Sequence, residues 1–129
     1  MLGGGNPVGG NPAGIGTSIN YIGNHVYGYS GLVDCSTALT RLLKFATGNS
    51  YLKVKFNPVY FTETTGENAV WEIFIDGQVI YHVEATSSSD YTPFTEIEII
   101  IPSYAEVEIK AKAASGNRNL GCIIAGRVY

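Results

Sequence analysis

The amino-acid sequence predicts an all-β fold: an antiparallel β-sandwich of seven or eight strands, jelly-roll-like, preceded by an extended N-terminal arm. From Ala69 to Val83, two stretches of β-branched and aromatic residues flank Asp76-Gly77, a pair that accepts positive φ and closes a type I′ hairpin. Short runs of alternating apolar and polar residues recur along the chain, separated by turn residues, as sandwiches and barrels require. Strands do not alternate with helical patterns, which excludes a nucleotide-binding α/β fold.

At 129 residues the chain suits one domain, read as an arm over residues 1–23 and a β-sandwich over residues 24–129. The arm holds eight of the 16 glycines and repeats Gly-Asn-Pro at Gly5-Asn6-Pro7 and Gly10-Asn11-Pro12. Such a segment cannot offset its ordering entropy by packing on itself. It carries no charge, since the first charged side chain is Asp34, and it interleaves apolar residues with turn residues. A free tail is one reading. The other is an arm that orders on a neighbour, with Pro7, Val8, Pro12, Ile15, Ile19 and Tyr21 as its contacts.

A first strand is expected between Asn24 and Val33, at a sheet edge, where Gly28 and Gly31 permit close approach of another backbone. Asp34 to Phe45 suits a strand better than the alternative short helix, because Thr37 and Thr40 favour β structure. Leu52, Val54 and Phe56 mark one face of the next strand, and Pro58 marks a bulge or an edge within it. After the Asp-Gly hairpin, Thr86 to Pro93 reads as an exposed loop.

In the next two runs Ile97, Ile99 and Ile101 oppose Glu96 and Glu98, and Val107 and Ile109 oppose Glu106 and Glu108. If these runs pair directly, a three-residue loop at Pro102-Ser103-Tyr104 keeps the apolar faces matched. Glu98 then faces Glu108. The pairing lapses if the two runs belong to different sheets. A turn at Ser115-Gly116-Asn117 leads to a last, apolar strand from Leu120 to Tyr129.

The hairpin's simplest register pairs Phe74 with Val79 and Val70 with Val83 on one face, and Ile73 with Ile80 and Trp71 with His82 on the other. Both faces are then largely apolar, whereas a hairpin in a one-core sandwich shows one wet face. The second face should therefore be covered by a neighbour, which makes Trp71 and His82 candidate partner-binding residues. Tyr27 and Tyr29 join them from the first strand, because tyrosine is enriched at protein interfaces.

Residues that carry catalysis are scarce. His25 and His82 sit in no hydrolase or metalloprotease motif. Cys35 and Cys122 match no zinc or redox spacing and read as buried reduced thiols, with a disulfide as the alternative. The four glutamates suit a solvated face better than a Ca²⁺ site or an acidic docking patch. No catalytic residue, metal or cofactor is expected. A net charge of −3 without a basic cluster argues against nucleic acid. The start Met1-Leu2-Gly3 opens neither a charged nor an apolar leader, and no apolar run approaches ~18 residues. A soluble product made in the cytoplasm, away from membranes, is the expectation.

The stretch Tyr21-Ile22-Gly23-Asn24-His25-Val26-Tyr27-Gly28-Tyr29-Ser30-Gly31, with Thr47-Gly48-Asn49, Ile99-Ile100-Ile101-Pro102 and Gly126-Arg127-Val128-Tyr129, resembles short proteins of tailed phages. In size and β-rich pattern the chain is similar to virion decoration (capsid cement) proteins. The resemblance implies a homo-oligomer, a trimer above all, seated on the capsid exterior and gripping the major capsid protein or a neighbour with a terminal arm. A carbohydrate-binding or receptor-binding sandwich of a phage tip or fibre, using loop tyrosines such as Tyr51, Tyr91 and Tyr104, is the competing expectation.

Overall fold

The computed structural model describes residues 18–61, 68–86, 96–114 and 116–129. Those residues form strands and connections with no helix: β1 (Asn20–Ile22), β2 (His25–Tyr29), β3 (Val33–Cys35), β4 (Thr40–Ala46), β5 (Leu52–Phe61), β6 (Asn68–Ile75), β7 (Gln78–Thr86), β8 (Ile97–Ile101), β9 (Glu106–Ala113) and β10 (Arg118–Val128). Two antiparallel sheets pack as a sandwich. One sheet runs β1-β2-β10-β5-β8, with β3 also on β10, and the other runs β4-β9-β6-β7.

This order is that of a jelly roll. The pairs β2·β10, β4·β9, β5·β8 and β6·β7 are those of one long antiparallel ribbon doubled back at Asp76-Gly77. Wrapping that ribbon places successive pairs in alternate sheets and gives the two Greek keys of the architecture. Eight strands complete the roll. The other two are short additions: β1 comes from the end of the arm, and β3 resumes the line of β2 along β10 after a break at Ser30-Gly31-Leu32.

Inward-facing side chains fill the space between the sheets. Leu52, Val54 and Phe56 of β5 and Leu120 and Ile124 of β10 meet Leu42, Leu43, Trp71, Ile73, Val107 and Ile109 of the other sheet. The Trp71 indole N–H donates to the Gly121 carbonyl at 2.9 Å, which ties β6 to β10 through the core.

Three local features of the strands, two of them departures from strict alternation, test the simple sequence patterns. In β4 the register shifts between Arg41 and Leu43, so that Leu42 and Leu43 are both buried. Burying a leucine contributes about 1.5–3 kcal/mol, which outweighs the ~1 kcal/mol of a lost ladder hydrogen bond. The expected strand from Asp34 to Phe45 is split: Val33–Cys35 forms β3 on one sheet, and after residues 36–39 the chain enters β4 of the other, whose adjacent leucines give the run its half-helical look. Pro58 lies in a part of β5 that β8 does not reach, since that ladder ends at Phe56 and Ile97. Among the described residues it therefore stands on a local edge, as its missing N–H demands.

The third feature lies in the hairpin. Asp76 and Gly77 have φ of 51° and 83°, as a type I′ turn requires, and Phe74 pairs with Val79 as expected. Beyond it a bulge advances β7 by one residue: Ile73 faces Tyr81, Glu72 faces His82 and Trp71 faces Val83. A one-residue slip sends every following side chain to the opposite face. Trp71 and Ile73 face the core by the alternation of β6; the bulge sets Tyr81 and Val83 against them and moves His82 and Glu84 to the outer face beside Glu72.

The arm also ends earlier than expected. Ile19 is only 4% exposed, and its Cγ2 lies 3.0 Å from where a Cβ of Gly28 would stand. The glycine thus makes room for the arm's last apolar residue. Because Asn20–Ile22 then pair with β2, the edge place expected for the first strand belongs to β1. Ile19 and β1, counted with the arm from the sequence, are packed and paired with the sandwich.

Candidate interaction surface on the six-stranded sheet

The two outer faces differ in chemistry. On the four-stranded sheet, strand alternation turns charges outward: Arg41 pairs with Glu108 at 2.7 Å, Lys110 lies 3.8 Å from Glu108, and Lys44 lies 4.0 Å from Glu106. His82 lies between Glu72 at 2.8 Å and Glu84 at 3.8 Å. Burial alone would raise the Glu108 carboxyl, but the Arg41 hydrogen bond and the charges of Lys110, Arg41 and Lys44 outweigh it and hold the pKa below the ordinary value of 4.5. A depressed pKa adds stability that is present above the ordinary value and lost as pH falls through the lower folded one. Glu108→Gln should remove that part of the acid dependence, with a loss at neutral pH below about 1 kcal/mol because Arg41 is half in solvent. Urea titrations between neutral and acid pH measure it.

The outer face of the six-stranded sheet is apolar at its ends and charged in the middle. Paired residues form rows across β2, β10, β5 and β8: Tyr29, Ile123 and Asn57; then Tyr27, Ala125, Lys55 and Glu98; then His25, Arg127, Lys53 and Ile100. Lys53–Glu98 at 3.6 Å and Lys55–Glu96 at 3.7 Å make the charged middle. Beside it, the Tyr27 and Tyr29 rings approach to 5.3 Å between centroids. Next to Tyr29 lies a groove of about 400 Å³ lined by Gly31, Leu32, Val59, Cys122 and Ile123. A second groove, of about 620 Å³, runs along Tyr27 and Tyr29 to Ile22, His25 and Arg127.

Of the expected partner-binding residues, Tyr27 and Tyr29 stand on this surface. Tyr21 is half-buried on the adjoining edge strand, where burial raises its phenol pKa. Ile19 is built into the core instead of being free to grip a neighbour. Pro7, Val8, Pro12 and Ile15 lie outside the described residues, as do Tyr91 and most of the expected loop from Thr86 to Pro93. Trp71 is fully buried on the inward face of β6, and His82, turned outward by the hairpin bulge, lies on the opposite sheet, so neither joins Tyr27 and Tyr29. Leu32, Val59 and Ile123 complete the strip. Ile123 was legible as the outward residue between inward Cys122 and Ile124, but only pairing with β2 reveals its neighbours.

The glutamates do not converge. Glu96 and Glu98 flank β5, whereas Glu106 and Glu108 belong to β9 in the other sheet, so the alignment of Glu98 with Glu108 lapses. Among the described residues no group of three or more His, Cys, Asp or Glu side chains could hold a metal ion.

Both cysteines are free and buried. Cys35 stands opposite Arg118, four positions along β10 from Cys122, or roughly 13 Å of strand, too far for a disulfide. Burial pushes the Cys122 thiol up to about 12, against the opposing Ser30 hydrogen bond, and burial raises Cys35 as well. Neither thiol should react with an aromatic disulfide reagent in the native protein, and both should react in concentrated guanidinium.

No family model and no curated protein matches the chain. Among solved structures it is similar to dimeric latent PorU from Porphyromonas gingivalis, at 14% identity and a TM-score of 0.45, over 92% of this chain and 14% of that one. The chain therefore spans only a small part of that protein's length.

Proposed function

We propose that the protein is a non-enzymatic virion structural protein, a decoration or cement protein. In this reading it sits on the exterior of a tailed-phage capsid as a homo-oligomer, a trimer by preference, and binds the major capsid protein to stabilise the shell. The observation that carries the reading is an apolar strip around Tyr29, Leu32 and Ile123 on the sheet whose edge strand continues from an uncharged arm. Such a strip excludes water when covered, at roughly 25 cal/mol per Å² of apolar area, and spreading that gain over many subunits stiffens a shell. The fold suits the role, since jelly rolls build many capsid proteins. The chemistry suits it too: His82 is engaged by carboxylates and both thiols are buried.

The test is cosedimentation with shells assembled from a tailed-phage major capsid protein. Removing residues 1–17 keeps Ile19 and every described strand, so the melting temperature should hold while retention on shells is lost. Leu32→Asp and Ile123→Asp should weaken retention and change stability by about 0.5 kcal/mol or less. Full retention by the truncated protein would sink the proposal.

A further inference from the structure

The connection from β8 to β9 holds a strained and exposed aromatic residue. Tyr104 has φ of 54°, a left-handed conformation that glycine adopts freely and a bulky residue does not, and it is 76% exposed. The fold gains little packing from this ring. Its backbone, by contrast, is held firmly. The buried Thr47 hydroxyl donates to the Pro102 carbonyl at 2.7 Å and accepts from the Ala105 N–H at 2.8 Å. The Thr47 N–H donates to the Ala105 carbonyl at 2.9 Å, and the Tyr104 N–H donates to the Gly48 carbonyl at 2.8 Å. Strain that the surroundings over-determine is a mark of functional sites.

Two more tyrosines stand at the same end. Gly48 precedes Tyr51 by three residues, at most ~11 Å of chain. Tyr51 and Tyr129 exchange backbone hydrogen bonds of 3.2 and 2.9 Å. Their rings stack at 5.5 Å and 16° while remaining 46% and 54% exposed. Asn49, Ser50 and Ser103 stand beside them, and neither Thr47–Tyr51 nor Pro102–Ala105 carries a charge.

We infer that this end of the sandwich is a carbohydrate-binding site, with Tyr104 and the Tyr51–Tyr129 pair stacking on the C–H faces of a neutral oligosaccharide. Asn49, Ser50 and Ser103 supply the amide and hydroxyl groups that fix its orientation. A sugar fits better than a protein because these short segments present only a handful of residues, against roughly 20–30 on each side of a stable protein interface. Lys53 and Arg127 stand one row away on the same face, but the loop segments themselves offer rings, amides and hydroxyls that match a neutral ligand, and a backbone already fixed lowers the ordering cost of binding.

The experiment is a glycan array probed with the full chain, followed by calorimetry on the oligosaccharide that binds. Tyr104→Ala should lower affinity at least ~10-fold. Tyr104→Gly should show the same loss while raising the melting temperature by about 3–5 °C, because it relieves the left-handed strain. Leu32→Asp and the chain lacking residues 1–17 should keep full glycan binding whatever they do on shells, which separates this site from the capsid reading. A blank array overturns the inference, and so does wild-type affinity in Tyr104→Ala. An array that stays blank while Tyr104→Ala loses retention on shells assigns this end to a protein partner and overturns it equally.

Discussion

Trp71→Ala should cost about 3–5 kcal/mol of folding free energy, a large share of the 5–15 kcal/mol that holds a typical domain together. The indole is the largest fully buried side chain, so its removal leaves a cavity walled by both sheets. It also takes away the donor to the Gly121 carbonyl, which leaves a buried acceptor without that bond at a further cost of about 1–3 kcal/mol if nothing replaces it. Trp71→Phe partly separates the two effects, because it removes the N–H while keeping a six-membered aromatic ring in most of the space. Urea unfolding followed by circular dichroism should place Trp71→Phe between wild type and Trp71→Ala. If Trp71→Ala cost less than about 1 kcal/mol, the indole could not be a core residue.

Gly126→Ala should be nearly as severe, at about 3 kcal/mol, the upper range of overpacking. Gly126 lies on β10 between Val26 of β2 and Val54 of β5. A Cβ there would overlap the Lys53 carbonyl oxygen and lie 2.6 Å from the Val54 Cα. Backbone atoms of a paired strand cannot swing aside as a flexible side chain can, so the ladder between β10 and β5 has to part. Gly48→Ala is the control: a Cβ there meets nothing within 4 Å, and stability should change by about 0.5 kcal/mol or less. Equal melting temperatures for the two variants would show that β10 and β5 do not approach this closely.

Much of the strand inventory was readable from local pattern. Leu52, Val54 and Phe56 alternate with lysines, and β5 needs no more than that to expose one face and bury the other. Asp76-Gly77 specifies its own turn through two positive φ angles. The candidate surface was less legible. Tyr27 and Tyr29 could be picked out as alternating strand residues, but Leu32 comes from the break between β2 and β3, and Val59 and Ile123 from β5 and β10, which the topology makes neighbours. The tyrosines at the far end behave likewise: Tyr51, Tyr104 and Tyr129 are distant in sequence, and backbone hydrogen bonds bring their segments to one end.

By itself the sequence determined the all-β class, the hairpin at Asp76-Gly77, the alternating faces of β5, β8 and β9, and the uncharged character of the arm. These rest on side-chain period, turn chemistry and charge, which act over a few residues. Tertiary structure alone decided that β8 and β9 part into different sheets, that Ile19 is drawn beneath Gly28, and that the two bulges in β4 and β7 exist. A bulge forms when burying one more apolar side chain outweighs a broken ladder bond, and that balance depends on what the opposite sheet offers. In β7 it turned His82 and Glu84 outward and set Val83 against the buried Trp71, and so moved the candidate surface from the hairpin to the six-stranded sheet.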